Sequence, residues 1–82
     1  AKGSSAQMFL IDNLGFALSY PDQKYVGSKT SSNPFVAAMI NQKPIDSYTS
    51  TEGVRRVGGV ERVSNSNLMI VTDAPILAAG PS

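Results

Sequence analysis

Neither cysteine nor histidine occurs in this sequence, and that double absence limits the chain before any segment is read. Without thiols there are no disulfides. Without thiols and imidazoles there is no zinc site of the usual donors, no thiolate nucleophile, and no side chain suited to proton exchange near neutral pH. The limit is severe because the chain has only 82 residues, room for one domain and no second core. A domain of this size buries roughly 60–65% of the surface its unfolded form exposes. Small cores are usually supplemented by disulfides, metals or association; here association with other subunits is what is left. No apolar stretch nears the roughly 20 residues of a membrane-spanning helix, and residues 1–6 lack the apolar block of a signal peptide.

Charge adds a second exclusion. Seven basic against six acidic side chains leave +1, and charged residues make up 16% of the chain. So weak a field argues against nucleic acid and anionic membrane surfaces as partners. Hydroxyl and amide side chains are abundant instead, with 11 Ser, 4 Thr, 5 Asn and 3 Gln.

Residues 1–6 are small and polar, and are expected to form a flexible N-terminal arm. In 7–12 the run Met8, Phe9, Leu10, Ile11 is too short for a free-standing helix and reads as a buried strand. After turn residues at 13–15, Phe16, Leu18 and Tyr20 alternate with Ala17 and Ser19, the period-two signature of a half-exposed strand. Pro21 and Asp22 suit a turn. Tyr25 and Val26 then give a strand fragment, so a hairpin is predicted over 16–26. Asn33 followed by Pro34 suits a helix opening: the amide side chain can accept from a free backbone N–H, and proline has no donor to leave unmet. Phe35, Val36, Met39 and Ile40 form one apolar stripe. The spacing predicts a helix over 34–42, stopped by Pro44 through its restriction of Lys43. The hydroxyl-rich 45–52 reads as irregular, with Ile45 and Tyr48 able to dock onto a core.

The segment 54–63 is nearly a mirror image about Gly58-Gly59. A Gly-Gly pair between such runs signals a two-residue hairpin, because both residues reach positive φ without a Cβ clash. That register sets Val57 against Val60 and Arg56 against Glu61, but also Arg55 against Arg62, a repulsive pair. A helical turn over 51–57, capped by Ser50 and ended by Gly58, competes with it. Residues 64–67 form a polar turn and 68–72 the strongest strand, broken at 73–75. Residues 74–82 form a C-terminal tail of small and apolar residues. The sum is an α+β or mainly β fold, a small single domain over 7–73 with about five short antiparallel strands and one short helix.

Catalytic signals fail one by one. Gly27-Ser28-Lys29-Thr30 ends like a phosphate-binding loop, but Ser28 stands where a glycine is required. Asp12 and Asp73 each follow an apolar strand and would have to flank a cleft to work as an acid/base pair; at strand ends they read as turn residues. A serine nucleophile without histidine needs a buried lysine of depressed pKa, whereas Lys2, Lys24, Lys29 and Lys43 all fall in polar or turn contexts. No catalytic residue, cofactor or metal site is expected. Arg55, Arg56 and Arg62 are the only arginines and would converge on the predicted hairpin, able to hold an anionic partner. Tyr20 and Tyr25, beside Pro21, are candidates for an exposed contact patch.

Met8-Phe9 in an opening strand, and Gly58-Gly59 before a valine-bearing strand, look like the small terminal domain of phycobilisome linker polypeptides at those two places. Val60 replaces the basic residue expected after the glycines and the linkers' overall basicity is missing, so no linker residue is carried over.

The composition favours a non-enzymatic structural subunit that packs into a larger particle, such as a viral capsid or decoration layer. Its expected partners are protein subunits, in a homo- or hetero-oligomer. Two alternatives stand beside it: a small binding module using the arginine hairpin for an anionic partner, and a minor subunit or linker of a larger complex. The chain reads as soluble, possible in a virion.

Overall fold

The computed structural model describes residues 5–76. The chain forms strands β1 (Gln7–Ile11), β2 (Ala17–Ser19), β3 (Ser47–Thr49), β4 (Arg55–Arg62) and β5 (Met69–Pro75). It also forms one helix, α1 (Pro34–Ile40), and one 3-10 turn at Gln23–Tyr25. All five strands lie in a single antiparallel sheet ordered β2-β1-β5-β4-β3. The expected fold class, a small, mainly β domain with one short helix, is the observed one. Among the described residues no helix is long and apolar enough to cross a membrane. Residues 1–4 of the expected arm and 77–82 of the expected tail lie outside the described residues, while Ala74 and Pro75 belong to β5.

The sheet order makes β5 the central strand and sets β1 and β3 far apart. The connection from β2 to β3 therefore crosses one face of the sheet, and it carries α1 with it. The Asn33 Oδ1 accepts from the amides of Phe35 at 2.9 Å and Val36 at 3.4 Å, the cap that the Asn-Pro pair foreshadows. The helix ends with its apolar stripe at Ile40, two residues short of the expected 34–42, and Gln42 lies in the left-handed region at φ 60°. Beneath α1 the core is Phe9, Ile11, Phe35, Val36 and Val71, flanked by Tyr20, Met39, Tyr48, Val60 and Met69. Each fully buried side chain of this kind stabilises by roughly 1.5–3 kcal/mol.

Four local expectations are corrected. The hairpin over 16–26 does not form. Its second half is the 3-10 turn, opened by Asp22, whose Oδ1 accepts from the Lys24 amide at 3.2 Å. The returning partner of β2 comes later: the Ala17 amide donates to the Ser28 carbonyl at 2.9 Å and the Thr30 amide to the Gly15 carbonyl at 2.8 Å. Residues 47–49, read as irregular, form β3, because hydroxyl-bearing residues suffice for an edge strand once Arg55 to Val57 offer them a ladder.

The Gly58-Gly59 hairpin and its competitor, a helical turn, are both absent: β4 runs unbroken through the two glycines. Folding back there would pair Arg55 with Arg62, whereas the continuous strand sets Val60 against Val71 and extends the ladder from Arg56 to Arg62. Gly58 serves a close approach instead. At φ 154° a Cβ on Gly58 would lie 1.9 Å from the Thr72 carbonyl oxygen, so only glycine fits there. Last, 73–75 does not break the final strand; β5 continues through Asp73 to Pro75.

Candidate functional site

Asp73 is the focus of the polar structure. It stands in the middle of the central strand, opposite Gly58 on β4 and Gln7 on β1, and only 2% of it is exposed. A buried carboxylate is tolerated when its oxygens are met by donors, and here three side chains meet them. The Arg56 Nε donates to Oδ1. The Tyr48 hydroxyl and the Asn33 amide donate to Oδ2 at 2.6 and 2.9 Å. Arg56 is itself 5% exposed and also donates from Nη2 to the carbonyls of Asp73 at 3.2 Å and Ser5 at 2.7 Å.

The network ties five parts of the chain together. Asn33 caps α1 with its oxygen and reaches Asp73 with its nitrogen, which fixes the helix to β5. Tyr48 brings in β3 and packs edge-on against Phe35 with ring centroids 5.1 Å apart. Arg56 anchors the backbone at Ser5, just before β1. Burial, and then the hydrogen bond to Asp73, push the Tyr48 hydroxyl up from 10.0 to about 12. The bond to Asp73 outweighs burial and holds the Arg56 guanidinium above its ordinary value.

Above this base opens a cleft of about 620 Å³ between the sheet and the crossing segment. Its walls carry hydroxyls and amides from Ser5, Gln7, Ser32, Asn33 and Tyr48, with Glu52 at the rim. A second cleft of about 340 Å³ adjoins it, sharing Tyr20 and Ser32 and adding Tyr25, Ser28, Lys29 and Thr30. Burial, the largest cause, together with the neighbouring Tyr25, Asp73 and Asp22 raises the Tyr20 hydroxyl above its ordinary value, so it stays protonated at neutral pH. The arrangement offers hydrogen bonds rather than a reactive group, since both Asp73 oxygens are committed. Among the described residues no three His, Cys, Asp or Glu side chains come together to hold a metal.

The three arginines singled out from the sequence do not converge. Arg56 is in the buried network. Arg55 points to the other side, donating to Thr49 at 3.0 Å and Ser47 at 2.6 Å. Arg62, six residues and about 20 Å along the strand from Arg56, donates to the Ser66 carbonyl. Their expected convergence depended on the hairpin and is absent with it. Tyr20 and Tyr25 do meet, ring centroids 5.6 Å apart, and together line the smaller cleft. Asp12 takes the turn role expected of it, accepting from the amides of Leu14 and Phe16; Asp73 does not. Asp73, Tyr48 and Asn33 are the site residues that the sequence left unrecognised. The signal was the alternation itself: Met69, Val71 and Asp73 share one face, as do Arg56, Gly58 and Val60.

No family model matches the chain, and no curated protein does either. Among solved structures, the periplasmic sensory domain of the Campylobacter jejuni chemoreceptor Tlp1 is similar at 20% identity with a TM-score of 0.56. The match covers 90% of this chain and 30% of that one, so the present chain spans under a third of the neighbour's length. The likeness is one of fold.

Proposed function

We propose that the protein is a non-enzymatic, small-molecule-binding domain of sensory type, taking a small polar ligand in the cleft above Asp73. The observation that carries this is a fully partnered buried carboxylate at the base of an open cleft walled by hydroxyls and amides. Such a base is rigid, and rigid polar groups bind with little ordering cost. The sensory domain with which the chain shares its fold supports the reading. The test is a panel of sugars, organic acids and amino acids, followed by thermal unfolding and amide NMR shifts. A compound present at 100 times its Kd stabilises by about 2.7 kcal/mol and shifts the amides of Asn33, Tyr48 and Thr49. A panel that moves neither the unfolding temperature nor those amides overturns the reading.

A second reading, a structural subunit of a larger assembly, draws on the sheet face away from α1. There Met8, Val57 and Ile70 are all 38% exposed or more, and an apolar face of this kind favours association. Sedimentation at rising concentration tests it: a monomer throughout rules out self-assembly, and a mass that rises with concentration supports it.

A further inference from the structure

The smaller cleft holds several polar groups without a partner in the described part of the chain. Among the described residues, the hydroxyls of Tyr20, Ser28 and Ser32 make no hydrogen bond, and Lys29 has no carboxylate within ion-pair distance. The Lys29 ammonium instead lies 5.6 Å from the centre of the Phe16 ring, which directs the charge without neutralising it. Its backbone is held firmly. Lys29 bridges Phe16, and its neighbours Ser28 and Thr30 bond to Ala17 and Gly15. The buried Thr30 hydroxyl adds a bond to the Gly15 carbonyl at 2.8 Å. An exposed cation on an anchored segment, in a cleft with unpartnered hydroxyls that shares a wall with the hydroxyl-lined main cleft, is a place for a ligand with one anionic end.

We infer that the ligand is a polyhydroxylated monocarboxylate, of the sugar-acid type, that spans both clefts with its carboxylate at Lys29 and its hydroxyls over the Tyr48–Asn33 side. The inference rests on the small-molecule reading above and deepens it. Charge selects a monoanion. Arg56 is committed to Asp73, Lys24 pairs with Asp22 at 3.8 Å, and Glu52 stands at the rim of the main cleft. A dianion would find one compensating charge and one repelling one. Tyr20 and Ser32, common to both clefts, are placed to bond the carbons between the two ends, and a protonated Tyr20 both donates and accepts.

The probes are sodium D-gluconate, which has both features, D-sorbitol, which lacks the carboxylate, and sodium acetate, which lacks the hydroxyls. They are titrated into the purified chain with amide NMR and calorimetry. Gluconate is expected to bind at least tenfold tighter than either fragment and to shift amides of Ser28, Lys29 and Thr30 together with Asn33 and Tyr48. Lys29→Gln should weaken gluconate about tenfold, the scale of a lost charge-assisted hydrogen bond, and leave sorbitol unchanged. In the unsubstituted protein, added NaCl should weaken gluconate and not sorbitol, a readout independent of how the variant folds. Gluconate affinity indifferent to both salt and Lys29→Gln overturns the inference. If gluconate fails while another compound of the wider panel still shifts Asn33 and Tyr48, the inference falls and the small-molecule reading stands. If nothing shifts a cleft amide, both fall.

Discussion

On the side of the sheet crossed by α1, alternate residues of β1, β4 and β5 are withdrawn from solvent: Phe9, Ile11, Val71, Asp73 and Arg56. Their immediate neighbours on the other side, Met8, Val57 and Ile70, stand 67%, 39% and 38% exposed. The two faces are made from the same strands and carry comparable apolar content. What separates them is the crossing segment, which covers one face and leaves the other open. Cover also explains where the polar network can exist. Removed from water, Arg56 and Asp73 hold each other and recruit Tyr48 and Asn33; on the open face Arg55 settles for the hydroxyls of Ser47 and Thr49.

The largest effect expected from this contrast is at Asp73. Asp73→Ala leaves the Arg56 guanidinium buried without its carboxylate, and should cost about 3–5 kcal/mol, much of the stability of a domain this small. Urea unfolding measures it. The double replacement Arg56→Met with Asp73→Leu should lose far less than Asp73→Ala, because an apolar pair leaves no charge stranded. A single-variant loss below about 1 kcal/mol would mean that water reaches the pair and that the two faces differ less than their exposure implies.

A smaller effect is expected at Tyr48. Tyr48→Phe removes one donor of the three on Asp73 and should cost about 1–2 kcal/mol. Its pH dependence has a definite sign. The folded hydroxyl titrates at about 12 against 10.0 ordinarily, so the fold favours the protonated form. That contribution is fully present below pH 10 and is lost as pH rises towards 12. Urea midpoints taken across that window should fall more steeply for the unsubstituted protein than for Tyr48→Phe; parallel curves would remove Tyr48 from the network.

The smallest effect is on the open face. Ile70→Lys should change stability by no more than about 0.5 kcal/mol, although its neighbour Val71 is fully buried. A loss above about 2 kcal/mol, measured together with the sedimenting mass, would show that this face is covered in solution and would favour the assembly reading.

Much of this contrast was legible in the residues. The alternation around Phe16, the short apolar run at Met8 to Ile11 and the Asn33-Pro34 opening each led to a strand or helix that the structure contains. The same alternation continued past residue 72, but an Asp followed by Ala and Pro resembles a strand end, so the buried carboxylate was missed. Arg56 was noticed for its charge and assigned to a surface, because its partner lies 17 residues along the chain and two positions diagonally across the ladder. Ser47 to Thr49 carries no apolar pattern of its own and becomes a strand through β4.

The sequence by itself determined what near neighbours decide: turn residues, the helix cap, the period of the strands, and the exclusion of thiol and imidazole chemistry. The tertiary structure alone decided that Gly58-Gly59 runs straight, that Asp73 lies inside, and that α1 covers one face rather than the other. A turn preference of Gly-Gly is a local effect on the order of 1 kcal/mol. Against it stands a ladder from Arg56 to Arg62 with a buried ion pair at one end and Val60 on Val71 beyond it. Those contacts join residues far apart in the chain, so they exist only once the sheet has formed.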